Sequence, residues 1–200
     1  MIRFLSHAIS LSLLLLAIGV IVPNAKAQEV PMWEGVTKTK KQLEADRELV
    51  ESLRKSTNDN LNVAASRGIK LGWEAIENGN TEKAIRRFNQ VWLLNPKRGE
   101  IYWGFAVATA MRGDDIKIVE RWFQKAETIV GADWRLHSDW GRWLEQRDEP
   151  ERAIPHFLKS IEANPKNREP HVGMIRASEK LGDTATVEKH IRIYNELTKN

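Results

Sequence analysis

His137 and His171 lie 34 residues apart in the sequence, and so do His156 and His190. Imidazoles are common metal ligands, but a helical zinc site asks for two of them at i, i+4, as in His-Glu-x-x-His. Neither pair has that spacing, so no metal is expected, and repetition accounts for the interval. The absence of cysteine excludes disulfides, thiolate metal sites and cysteine nucleophiles. No Gly-x-Ser-x-Gly elbow, phosphate loop or dinucleotide fingerprint is present, so neither a catalytic residue nor a cofactor is predicted. The Asp114-Asp115 pair reads as a helix N-cap with favourable dipole charge. Glycosidase-type chemistry needs two carboxylates on one cleft, which spacing alone does not reveal.

Binding chemistry has more material. Phe88, Trp92, Tyr102, Trp103 and Phe105 crowd around one Asn-Pro-Lys-Arg-Gly break, and they either line a pocket or pack one helix on the next. The choice depends on the elements that carry them. Leu71-Gly72 and Trp140-Gly141, Ala84 and Ala153, Phe88 and Phe157, and Asn95-Pro96-Lys97 and Asn164-Pro165-Lys166 are all separated by 69 residues. That interval holds two units of 34 and 35. The intermediate unit supplies Phe105-Ala106, Gly113-Asp114, Phe123 and Ala126, and a fourth follows with Gly182-Asp183, Val187 and Ile191.

This pattern resembles the tetratricopeptide repeat family, whose units are two antiparallel helices with a period of about 34 residues. Residues 65–98 and 134–167 match its signature well; 99–133 and 168–200 are degenerate, with Gly131 where the second unit would close on Pro and Ile175 at a small-residue site. The stretch Arg86 to Ala106, with Pro31-Met32-Trp33-Glu34-Gly35 upstream, is also similar to a group of exported bacterial repeat proteins of undefined role. The resemblance implies an all-α helix-turn-helix solenoid of about four repeats.

Periodicity supports the helices independently: Leu71, Ala75, Ile76 and then Ala84, Phe88, Val91, Trp92 follow helical spacing, broken at Glu77-Asn78-Gly79-Asn80. Pro150 suits a helix start, while Pro96, Pro165 and Pro170 read as lying between helices. Residues 38–55 form a preceding helix with the thin stripe Leu43, Val50, Leu53, expected to cap the first repeat. The predicted division is 1–27 leader, 28–60 extended lead and cap helix, and 61–200 repeat domain.

The family geometry sorts the aromatics. Phe88, Val91 and Phe105 fall on packing positions, whereas Trp73 and Trp103 lie on first helices, which the resemblance directs to a concave groove, with Ile69, Val107 and Met111 extending the stripe. That groove either receives a partner or is filled by the cap helix or by Met32 and Trp33 of the same chain. Further along, Arg135, Arg142 and Arg176 form either a cationic ladder for an acidic peptide or C-terminal carboxylate, or a solvated face paired with Glu145 and Glu179. The Lys, Asn and Arg set with which related proteins clamp chaperone C-termini is replaced by Ile69, Trp73 and Gly104.

At the N-terminus, Arg3, the apolar stretch 8–22 and Ala25-Lys26-Ala27 read as a cleaved secretory leader, with Gln28 the first mature residue. The apolar run falls short of the roughly 20 residues of a membrane-spanning helix, and no cysteine follows for lipid attachment. Losing Arg3 and Lys26 reduces the formal charge from +4 to +2, without the basic stripe of a nucleic-acid protein. The expectation is a soluble periplasmic protein- or peptide-binding scaffold that is not an enzyme, with oligomerisation open. An envelope-enzyme accessory factor, an envelope-active enzyme and an inhibitor of an exported toxin are the alternatives.

Overall fold

The computed structural model describes residues 29–199; the expected leader and its cleavage point lie outside them. Nine α-helices run in order among the described residues: α1 (Lys40–Ser56), α2 (Leu61–Glu77), α3 (Thr81–Leu94), α4 (Gly99–Arg112), α5 (Ile116–Val130), α6 (Trp134–Gln146), α7 (Pro150–Ala163), α8 (Glu169–Leu181) and α9 (Thr184–Leu197). From α2 onward they pack as hairpins, α2 on α3 through α8 on α9, and the first helices of successive hairpins also touch. The all-α helix-turn-helix solenoid expected from the repeats is the observed architecture. None of these helices is long and apolar enough to cross a membrane.

Local chemistry sets the helix ends. The side chains of Asn80, Asp115, Asp133 and Asp183 each accept a backbone N–H from the first turn of α3, α5, α6 and α9, satisfying donors that the helix leaves orphaned. Asp114 does not cap; it holds Arg112 through two 2.7 Å bonds. Gly113 and Gly182 close α4 and α8 with φ of 81° and 71°, the left-handed turn that glycine adopts without steric cost. Pro150 opens α7 as expected. Pro170 does not lie between helices: it sits in the first turn of α8, where its missing N–H costs no hydrogen bond.

Two phenylalanines organise the core. The Phe88 ring lies between Gly72 and Gly104, where an added Cβ would come within 2.6 and 2.2 Å of it. Phe157 lies in the same way between Gly141 and Gly173, with clearances of 2.7 and 2.4 Å. In α3 and α7 the large residue thus requires glycine on two successive first helices, which explains the large-small pairing in those units. Phe88 and Phe105 are fully buried, and buried Tyr102 donates to the Pro96 carbonyl at 2.7 Å. They are packing residues. Trp92 is half-buried against Trp33.

Two segments depart from the sequence expectation. Helix α1 buries no residue, and Leu43 remains 46% exposed, so the cap covers the first repeat only lightly. The lead before it is not extended throughout: Pro31–Trp33 form a 3-10 turn with Met32 and Trp33 at φ of 53° and 52°. This turn docks on α3, where buried Asn89 donates to the Val30 carbonyl at 2.9 Å and accepts the Met32 N–H at 2.6 Å.

The stacking is uneven. α3 packs closely on α4, and α7 on α8, whereas α5 meets α6 lightly. The turn between them passes through Gly131 at φ 67°, ψ −148°, a conformation essentially reserved to glycine.

Candidate functional site: an aromatic and cationic cleft

The light joint opens into a cleft of about 640 Å³ on the first helices. α2 contributes Trp73 and Ile76; α4 contributes Trp103, Val107 and Met111; α6 contributes Arg135, Asp139, Arg142 and Trp143; Glu169 closes the far side. No residue of the lead or of α1 lines it, so the described part of the N-terminal segment does not fill the groove. A smaller pocket of about 280 Å³ adjoins it, shares Arg142 and Glu169, and adds Arg176.

The aromatic half is built by mutual packing. Trp73 leans on Trp103 with ring centroids 4.5 Å apart and meets Phe88 edge-on at 5.8 Å. Met111 is 51% exposed. The Arg135 guanidinium lies 5.5 Å from the Trp103 ring and holds Asp133 at 2.7 and 3.1 Å, which fixes its fork against the aromatic wall.

The polar half centres on Asp139 and Arg142. Trp103 Nε1 donates to Asp139 at 3.0 Å, and Arg142 lies 3.4 Å from both Asp139 and Glu169. Two carboxylates therefore face one cleft, no farther apart than those two contacts laid end to end. Burial pushes the Asp139 carboxyl up to about 6 against the opposing pull of Arg142 and the indole, because desolvation disfavours the charged form. The pairing of Arg142 with Glu145 and Arg176 with Glu179 does not form. Glu145 binds Lys180 at 3.1 Å, and Arg176 is exposed without an ion pair to a described residue.

Of the residues singled out in the sequence, Trp73, Trp103, Val107, Met111, Arg135 and Arg142 line the larger cleft, and Arg176 the smaller pocket. Ile69 does neither: at 8% exposure its aliphatic side chain belongs to the core. Trp73, Val107, Arg142 and Arg176 occupy one register position in successive units. Along that row the groove changes from apolar to cationic. Glu169, missed in the sequence, follows from the same register because it repeats Arg135. Asp139 carries no such signal, since its equivalents are Gly104 and Gly173.

The histidines pair within units. His137 and His156 approach Nδ1 to Nδ1 at 3.2 Å across α6 and α7, and His171 and His190 at 2.8 Å across α8 and α9. Burial lowers all four and brings His156 and His190 to about 4. At neutral pH each pair is two neutral rings, one donating and one accepting.

No family model matches the sequence, and no curated protein matches it. Solved structures do. Pseudomonas aeruginosa pilF is similar with a TM-score of 0.64 at 18% identity, over 70% of this chain and 64% of that one. MamA is similar with a TM-score of 0.60 at 19% identity, over 80% of this chain and 93% of that one. An O-GlcNAc transferase from Thermobaculum terrenum gives 0.55 at 17% identity, over 60% of this chain and 23% of that one. The match thus spans less than two thirds of pilF and about a quarter of the transferase. Fold and repeat define a tetratricopeptide-type solenoid, with its cleft on the first helices.

Proposed function

We propose that the protein is a non-catalytic protein- or peptide-binding scaffold of the bacterial cell envelope, exported by its leader and released as a soluble periplasmic chain from Gln28. The carrying observation is the row Trp73, Val107, Arg142, Arg176, which joins an aromatic wall to exposed cations in one groove. The ligand is a polypeptide segment with an apolar side chain against Trp73, Trp103 and Met111, and a carboxylate on Arg142 and Arg176. Glu169, on the exposed side of Arg142, yields its place to that carboxylate. Neither a metal nor a cofactor enters this reading, and the near-balanced charge argues against nucleic acid.

Panning a random peptide library against residues 28–200 tests it. Enriched sequences should combine an aromatic or large aliphatic residue with an acid or a free C-terminus, and should bind a folded Trp73→Ala/Arg142→Ala/Arg176→Ala variant at least tenfold more weakly. Equal binding to that variant would remove the groove from the reading.

One observation favours a second reading, an envelope-active enzyme or the accessory factor of one: Asp139 and Glu169 share the cleft, and Asp139 is shifted toward neutrality. Turnover of an envelope glycan by the purified chain, abolished by Asp139→Asn, would support it. Absence of turnover together with selective peptide binding would leave the scaffold.

A further inference from the structure

We propose that the outer face of α3, with the end of α4 and the flank of α5, is a second peptide-binding site. It takes a segment with an acidic residue four positions ahead of an aromatic one, and residues 29–34 of the chain fill it as a displaceable plug. None of its acceptor residues lines the cleft, so this inference stands independently of the proposed groove function.

The site reads main chain. Glu82 accepts the Glu29 N–H at 2.6 Å, Arg112 donates to the Glu29 carbonyl at 2.7 Å, and Asn89 clasps the Val30 carbonyl and the Met32 N–H. Side chains add selectivity: Arg86 holds the Glu29 carboxylate at 2.8 Å, Arg121 holds Glu34, and Trp92 meets Trp33 edge-on at 6.4 Å. Glu82, Arg86, Asn89 and Trp92 form one stripe along α3. Arg112 is fixed in advance by Asp114 and is only 12% exposed. With the plug in place the Asn89 side chain is fully buried, and both of its hydrogen bonds go to the plug main chain, so the site returns two bonds for the water it excludes. The acceptor thus engages main chain at Glu29, Val30 and Met32.

Nothing in those main-chain contacts specifies which polypeptide supplies them. The plug itself is a poor occupant. Met32 and Trp33 both adopt the left-handed region that side chains disfavour, and α1, which links the plug to the repeats, buries no residue. A segment offered by another polypeptide competes for the contacts that precede the bend, those of Glu82, Arg86, Asn89 and Arg112.

The test uses a labelled, N-acetylated peptide of residues 29–37, added to residues 28–200. A second protein carries Glu29→Ala/Trp33→Ala, which weakens the plug and leaves every acceptor residue intact. The peptide should bind this variant about tenfold or more tighter than the unaltered chain, whose own segment competes at high effective concentration. Adding Arg86→Glu should abolish binding, and a peptide with Glu29→Arg should restore it. Arg86 is surface-exposed, so this charge exchange reads recognition rather than folding. No saturable binding to the plug variant, or binding indifferent to the exchange, would overturn the proposal. A concentration-dependent dimer of the unaltered chain that the peptide disperses would support it, with a second copy as the donor.

Discussion

Trp103 Nε1 donates to Asp139 at 3.0 Å, a hydrogen bond that crosses from α4 to α6 over the least packed joint of the solenoid. The carboxylate it reaches is raised to about 6 by burial. A carboxyl whose folded pKa lies above its unfolded value favours folding when protonated, and that contribution is lost as pH rises through about 6. Asp139→Asn keeps an acceptor for the indole without the charge. It should stabilise the protein at pH 8 by up to about 3 kcal/mol and leave it nearly unchanged at pH 4, read by thermal unfolding at both values. Equal shifts at the two pH values would remove charge burial as the cause.

The histidine pairs have the opposite sign. His156 and His190 are lowered to about 4, so the unfolded chain takes up protons first as pH falls through 6.5. Each pair should cost about 2 kcal/mol of stability between pH 7 and pH 5. Urea unfolding at those two values measures the loss, and a His156→Gln/His190→Gln variant should show less of it. An unchanged slope in the variant would assign the acid sensitivity to other groups.

Alanine normally favours a helix interior over glycine by about 1 kcal/mol. At Gly104 or Gly173 the sign should reverse, because the new methyl would press into the Phe88 or Phe157 ring. Gly104→Ala and Gly173→Ala should each cost about 1 to 3 kcal/mol in urea unfolding. Stabilisation by either would mean the ring shifts freely, contrary to a tight cage.

Gly131 has open space around its missing Cβ, yet its φ of 67° is strained for any other residue. Gly131→Ala should therefore cost about 1 to 3 kcal/mol through the backbone alone. Hydrogen exchange should rise at the α5–α6 turn before it rises around Phe88. Uniform change along the chain would argue that the joint is no weaker than the rest.

The fold was readable where the chemistry repeats. The pairs 69 residues apart include Phe88 and Phe157 with two of their caging glycines, Gly72 and Gly141, and these mark a ring contact that recurs in space. Asp115 was readable as a cap because capping depends on residues two or three places away. The lead was not. Its partners lie 53 to 87 residues downstream, where no period can signal them, and Asn89 looks like any polar residue on a helix surface. Asp139 escaped notice for a related reason: its charge has no counterpart in neighbouring units, so only the three-dimensional approach of Trp103 and Arg142 gives it meaning. Pro170 is ambiguous in sequence because proline suits a first turn as readily as a connection.

The reach of the lead also orders events in time. Neighbouring units meet over short intervals, such as the 36 residues from Trp103 to Asp139, whereas Glu29 must wait for Arg112 and Glu34 for Arg121. Contacts close in sequence form early, and distant ones carry a larger entropic delay. The first described residues are therefore among the last to find their place. Until residues 29–34 dock, the face of α3 and its Asn89 amide stand open to water, a stage that the finished protein conceals.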